Sequence, residues 1–514
     1  MVICIIAFYF AMVLGVSWLT TRRHDHDTDS FYRGDRKSPW WVVAIAMIGT
    51  SISGVTYVSV PGMVAEGEMS YLQMVMGFVA GYVAVAYILL PLYYRLNLSS
   101  IYVYLEKRYG TASHRTGAAF FLLSKYLGCA VRIYLTAVVL QLILFDGLGM
   151  PFPLSVACIM LIVWLYSFRG GVKTLVWTDL LQTLCLLSAM IGFVVCACGA
   201  MHLDIGGLCS TIGDSGMSRI WFFDNVNDKR FFWKQFLGGM FTTIAMTGLD
   251  QDMMQKNLSC RNLRDAQKNM VSYGIAFLPV NLIFLVLGIL LYSYAQQLGM
   301  FDVDLSTLHD LQGKVIGPDQ LFPYLATATN PLTLQPILPL IVGILFVLGL
   351  VASAFSSAGS AITALTTTLM VDFITVKAAS VGRVRFRVHL LNSIVMGIMI
   401  CVFHLLASGS VINAVYVVAS YTYGPLLGLF FFGLLTKCHP LDRLVPAVCI
   451  LSPVICWVLD SHSEQWFGGY HMGYELLIVN GLITAVGLWI ISQRRATSNA
   501  RREGAKHDTP PAAC

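Results

Sequence analysis

The sequence predicts an all-α integral membrane protein of about thirteen transmembrane helices. Three observations carry this. Charged residues make up 12% of the chain and hydrophobic ones 57%, about half the charged share of an ordinary soluble domain. Apolar runs follow one another from Val2 to Ile491, each about as long as the roughly 20 residues that carry a helix across a ~30 Å hydrocarbon core. Lys and Arg are distributed unequally between alternate gaps, as membrane topology requires. The runs are too long for barrel strands, and a helix satisfies its own backbone polar groups in lipid.

The spans are expected near 2–20, 40–64, 71–94, 117–145, 152–168, 175–203, 234–254, 270–297, 335–373, 388–408, 411–436, 444–460 and 472–493. No small-residue cleavage pattern follows the first, so it reads as a retained helix. The second is small, hydroxylated and rich in helix breakers. The fourth carries Lys125 and Arg132, and the sixth carries Asp179 about one turn from its start. An outer loop at about 204–233, with Trp221 and Phe222, has no clear pattern. The seventh ends in Gly248-Leu249-Asp250-Gln251-Asp252-Met253-Met254-Gln255-Lys256, which reads as a wetted helix end in preference to a cytoplasmic gate. The ninth is too long for one straight crossing, so it includes an approach segment or extends beyond the bilayer. The tail, 494–514, is polar and Pro-containing and is expected to be disordered and cytoplasmic.

With the N-terminus outside, only Arg219, Lys229, Arg230, Lys234 and Lys314 fall on the outer side, and Lys125 and Arg132 fall within a span. The rest of the 33 Lys and Arg lie in cytoplasmic gaps or the tail. Gaining or losing one span midway would scramble this alternation. The net charge of +6 therefore reflects topology and bilayer contact, and gives no support for nucleic acid as a partner. The 13 Cys are scattered without a C-x-x-C pair and read as small buried hydrophobes. There is no H-E-x-x-H, no G-x-x-x-x-G-K-[ST] and no G-x-S-x-G on a strand–turn–helix, so neither an enzyme nor an ATP-driven pump is expected.

The informative residues are those that lipid disfavours. The second span reads Gly49-Thr50-Ser51-Ile52-Ser53-Gly54-Val55-Thr56 and reaches Pro61-Gly62. Glycine and proline loosen the backbone ladder, and freed carbonyls become available as ligands where a broken helix lines a cavity. Close packing through small residues is the structural alternative. In the ninth span Ser353, Ser356, Ser357 and Ser360 recur at spacings of three and four, hence on one face. Hydroxyl and carbonyl oxygens suit a hard cation such as Na+. Asp179 needs a cation, a proton or a hydrogen-bond partner. Arg132 is expected to face water, a carboxylate such as Asp179, or an anionic substrate.

Several segments together resemble the sodium/solute symporter family. They are Gly170-Gly171 followed by Trp177-Thr178-Asp179 and Gln182; Ser353 with Ser356-Ser357 and then Asp372-Phe373; and Leu90-Pro91-Leu92 leading to Tyr104-Leu105-Glu106-Lys107-Arg108-Tyr109. The likeness runs from the first span to about residue 436. It implies the inverted-repeat fold named after LeuT, with a peripheral helix at 1–20, repeats at 40–203 and 231–436, and peripheral helices at 444–493. It also implies a monomer in a bacterial inner membrane that carries a small organic solute inward with Na+. The principal Na+ site would be Gly49, Ile52, Ser353, Ser356 and Ser357. A second Na+ would use Asp179, Ser356 and Ser360, but Gly359 lacks the hydroxyl found there in the family. The broken helix is most similar to that of bacterial sialic acid transporters, whose substrate contacts align with Ser51, Ser53 and Thr56. Their arginine aligns with Gly128, one turn before Arg132, and their glutamine with Val75, two residues after Gln73. Sialic acid, or another acidic sugar or carboxylate, is the expected solute. A solute sensor without flux and a proton-coupled carrier using Asp179 remain the alternatives.

Overall fold

The computed structural model describes residues 2–21, 36–98, 100–168, 171–301, 307–328, 337–374, 380–406, 411–468, 470 and 472–507. Gly170 and the basic residues Arg22, Arg23, Arg33, Arg169 and Lys377 lie outside them. In chain order the main helices are α1 (Val2–Thr21), α2 (Trp40–Ser51), α3 (Gly54–Gly62), α4 (Tyr71–Ala84), α5 (Thr111–Leu140), α6 (Phe152–Ser167) and α7 (Gly171–Ala200). Then follow α8 (Ile205–Asp214), α9 (Phe232–Thr243), α10 (Gln251–Asn257), α11 (Leu263–Gln297), α12 (Pro318–Thr327), α13 (Leu340–Thr368), α14 (Val381–Leu406), α15 (Val411–Leu435), α16 (Val445–Ser461) and α17 (Leu476–His507). Among the described residues, eight helical stretches are long and apolar enough to cross a membrane. The bent pair α2–α3 makes a ninth, and three shorter apolar helices lie within α1, α6 and α17. Large apolar side chains such as Leu142, Val195, Leu405 and Leu482 are exposed on the outer surface, where lipid replaces water as the solvent.

Two helices break in the middle of the bundle. Between α2 and α3 the axis turns by 61°, because Ile52 (φ −78°, ψ 93°) and Ser53 (φ −85°, ψ 173°) are extended. The second break lies inside the run expected as one continuous span, 234–254. α9 widens into a π turn over Ile244–Gly248, and the chain restarts as α10 after Leu249 and Asp250. Asp250 makes the restart possible: its side chain accepts from the N–H groups of Asp252 (2.8 Å) and Met253 (3.4 Å), satisfying donors that a helix start leaves open. The carbonyls left at the break are capped by tyrosines. Tyr93 donates to Gly248 O and Tyr102 to Leu249 O, both at 2.9 Å.

α10 is also not the wetted end expected for Gly248–Lys256. Every residue from Gln251 to Asn257 is buried, and Lys256 is 1% exposed. The broken chain folds back into the bundle instead of leaving it. A further correction concerns the tail: α17 continues to His507, into a stretch expected to be disordered. Ala, Arg, Glu and Lys dominate Arg494–His507, and their helix propensity extends the element. Residues 508–514 lie outside the described chain.

Packing sets these breaks against one another. α13 lies along α7, α7 packs on α2, and α4 packs on α9. Glycines permit the closest approaches. A Cβ on Gly239 would strike the Met74 carbonyl, and one on Gly77 the Phe236 carbonyl.

Candidate functional site

The last four carbonyls of a helix have no partner within it. In α2, Ile48 O accepts from Ile52 N (2.9 Å), and the extended Ile52–Ser53 pair turns the chain away beyond it. Thr50 O instead accepts from the Ser357 hydroxyl of α13, at 3.1 Å. The broken end of α2 is thus stitched to the serine face of α13, where Ser353, Ser356, Ser357 and Ser360 are all buried. Ser353 Oγ bonds back to Leu350 O (2.8 Å) within its own helix. The donor set of the expected principal site is therefore hydroxyl and carbonyl oxygen in a buried setting, the chemistry that fits Na+.

Beside it lies Asp179 of α7, with no exposed surface. Ser356 Oγ donates to its Oδ1 (2.9 Å), while Ser360 Oγ (3.1 Å) and Thr50 Oγ1 (3.2 Å) donate to its Oδ2. Its ionic partner is Lys256, whose ammonium is 2.6 Å from Oδ2 and also donates to Thr50 Oγ1. Arg132 is not part of this cluster. Gly359, the departure noted in the sequence, has its carbonyl taken by Thr363 Oγ1 (2.9 Å), and the Tyr166 hydroxyl sits where a side chain at 359 would begin.

A cavity opens next to the first break. Ser51, Ser53 and Thr56 line it from the break, and Lys125, Gly128 and Arg132 from α5. Lys125 is neutralised there: its ammonium lies 3.1 Å from Asp250 and 2.7 Å from Asp252, and Tyr423 also donates to Asp250 (2.6 Å). Arg132 lines the same cavity, half-buried. Among the described residues it makes no hydrogen bond or ion pair. Ser51 is held by Tyr273 (2.5 Å), which in turn meets Tyr82 (2.7 Å). Tyr71 and Tyr416 meet across the cavity, hydroxyl to hydroxyl at 3.2 Å.

Gln73, expected at the solute, is placed elsewhere. It is fully buried outside the cavity, and its amide holds the 204–233 loop. Nε2 donates to Arg230 O (2.9 Å) and Oε1 accepts from Phe222 N (3.2 Å). That loop contains α8, capped by Asp204 through Gly207 N (2.6 Å). It also contains Phe222, placed between the guanidinium groups of Arg219 and Arg230, each 4.5 Å from the ring centre. Hydrogen bonds from Arg230 hold the Asp228 carboxyl below its ordinary pKa.

The structure thus gathers Ser51, Ser53, Thr56 and Arg132 at one cavity, and Asp179, Ser356 and Ser360 at one cluster. Sequence reasoning singled out the segment of Asp250, Asp252 and Lys256 but read it as a wetted helix end, and it missed Tyr273. The one available signal was Asp250, a good N-cap two residues after Gly248.

Two broken helices that meet beside a polar, charge-lined cavity within a membrane bundle define a secondary carrier. The chain belongs to the sodium:solute symporter family, whose profile matches residues 31–439, and it carries a solute with Na+ as the coupling ion. It is 23% identical to the sodium/sialic acid symporter NanT of Aliivibrio fischeri over 500 residues, covering 93% of this chain and 91% of that one. It is 26% identical to the human sodium/iodide cotransporter, covering 83% of this chain and 65% of that longer protein. It is 27% identical to the human sodium-coupled monocarboxylate transporter 1, covering 82% and 67%. A solved Na+-coupled sialic acid symporter in a substrate-bound outward-open state superposes with a TM-score of 0.77 at 18% identity, covering 96% of this chain and 97% of that one. A nucleobase-cation-symport-1 family transporter, closed around bromovinylhydantoin, gives 0.57 at 14% identity, covering 91% and 95%. These likenesses establish the LeuT-type fold.

Proposed function

We propose that the solute is a small organic monoanion, sialic acid or another acidic sugar or carboxylate, and that Arg132 receives its carboxylate. One observation carries this: of the two cations lining the cavity, Lys125 is held by two aspartates, while Arg132 has no partner among the described residues. A guanidinium facing a cavity recruits a carboxylate in bidentate fashion. The hydroxyls of Ser51, Ser53 and Thr56 line the same cavity, and they suit a polyhydroxylated acid better than a bare halide. Relatives whose names specify sialic acid, monocarboxylate and iodide all move anions.

In this reading Na+ is held by the carbonyls of Gly49 and Ile52 with Ser353, Ser356 and Ser357. By drawing α2 against α13 it completes the wall that Ser51, Ser53 and Thr56 present to the solute. Ion and solute then favour one another's binding, and the coupling is reciprocal. The repeats run 40–203 and 231–436. The protein works as a monomer in a bacterial inner membrane, with its N-terminus outside and its C-terminus in the cytoplasm.

The test is uptake of labelled sialic acid into proteoliposomes, with and without an inward Na+ gradient. Uptake only with the gradient is expected, and uptake indifferent to Na+ would overturn the reading. Arg132→Ala should raise the KM for uptake roughly 30-fold or more, the loss of a charge-paired contact of about 2 kcal/mol or above. Ser356→Ala with Ser357→Ala should abolish the Na+ dependence. Binding without flux or counterflow would make the protein a sensor.

A further inference from the structure

The cluster around Asp179 holds a cation already. Lys256 enters it from α10, beyond the second break, and its ammonium contacts Asp179 and Thr50. Ser356 and Ser360 donate to the same carboxylate at 2.9 and 3.1 Å. Asp179, Ser356 and Ser360 are the donor set that a second Na+ would need. An ammonium is a compact point charge close in size to a hard cation, and it satisfies carboxylate and hydroxyl oxygens through its three N–H groups. Two further observations deny an added ion a ligand from position 359. The Gly359 carbonyl is taken by Thr363, and the Tyr166 hydroxyl fills the space where a liganding side chain at 359 would stand.

Charge gives the same result. Asp179, Asp250 and Asp252 face Lys125, Lys256 and Arg132 around the site, so the unloaded site is balanced. One Na+ with one monoanion preserves that balance, whereas a second Na+ would arrive beside an ammonium. We propose that Lys256 is a resident cation at the second ion position and sets the carrier to one Na+ per solute. The ion count rests on Na+ coupling; its match to a monoanion rests on the solute reading above.

The experiment counts ions without any solute. Binding of radiolabelled Na+ to the purified full chain is measured by equilibrium dialysis, alongside the Na+ dependence of its thermal unfolding. Wild type should bind about one Na+ per chain, with a Hill coefficient near one. Lys256→Ala should bind about two with a steeper Na+ dependence of melting, and Lys256→Arg should stay at one. Lys256→Ala strands the Asp179 carboxylate and is expected to fold poorly without Na+. Lys256→Ala with Asp179→Asn removes the charge pair together and should return the count to one. Two Na+ on wild type, or one on Lys256→Ala, would overturn the proposal. So would none on wild type and one on Lys256→Ala, by placing the ammonium at the principal site. A failed sialic acid uptake assay with these counts intact would remove only the solute.

Discussion

Arg132 and Lys125 lie seven residues apart on α5, on one face of the helix, and the sequence presents them as equal intramembrane cations. Only the fold distinguishes them, by bringing Asp250 and Asp252 of a different helix onto Lys125. Asp250→Asn should therefore disturb the Lys125 side of the cavity without removing the solute's charge partner: it lowers the rate of uptake more than solute affinity, which a KM-against-kcat comparison would read. The serine face, Asp179 and Arg132 were legible because a membrane span makes any polar residue conspicuous. Lys256 was not, since a lysine after the seventh span already fits the cytoplasmic side. Gly359 is decided by its neighbour. Gly359→Ser places its Cβ against the Tyr166 hydroxyl, and overpacking of this kind costs about 1–3 kcal/mol. Melting should fall, and Tyr166→Phe should recover part of it; full stability of the single variant would mean that Tyr166 swings aside freely.

At the level of elements, the first break could be read from Gly49, Gly54 and Pro61, which interrupt an otherwise apolar helix. The second left only Asp250, an N-cap candidate after Gly248, as a signal, because Thr247-Gly248-Leu249-Asp250 contains no proline and its carbonyls are capped by Tyr93 and Tyr102 from distant segments. The motif residues that carried the family resemblance divide in the same way. Asp179 and the serines sit at the ion cluster. Arg108 instead ties down the end of α15 through the carbonyls of Gly433 (3.2 Å) and Thr436 (2.7 Å), and Asp372 accepts from Ser100 (2.8 Å) and His114 (2.9 Å). The 204–233 loop had no periodic pattern to read. Its anchor is a glutamine in a neighbouring helix, which only a structure reveals. Gln73→Ala would leave Phe222 N and Arg230 O without that partner, at about 1–3 kcal/mol per unsatisfied group. The expected outcome is a lower melting temperature with an unchanged KM. A raised KM at unchanged stability would return Gln73 to the solute.

For the whole molecule, the fold class and most span positions followed from hydrophobic length, while the inward return of α10 did not, because chain polarity does not record which side of a bend a residue occupies. That return makes the transport unit electrically balanced. If one Na+ accompanies one monoanion, a membrane potential imposed with K+ and valinomycin should leave the initial rate and the final level of uptake unchanged. An inward current coupled to solute would contradict this.

The Lys256–Asp179 pair therefore bears on how far the cell can concentrate its solute. Each charge crossing ~100 mV gains about 2.3 kcal/mol, a gain open to a carrier that moves net charge. A balanced carrier draws on the Na+ concentration ratio alone: a tenfold ratio, about 1.4 kcal/mol, supports at most about a tenfold solute excess. The reserve is smaller, but it does not run down when the membrane depolarises.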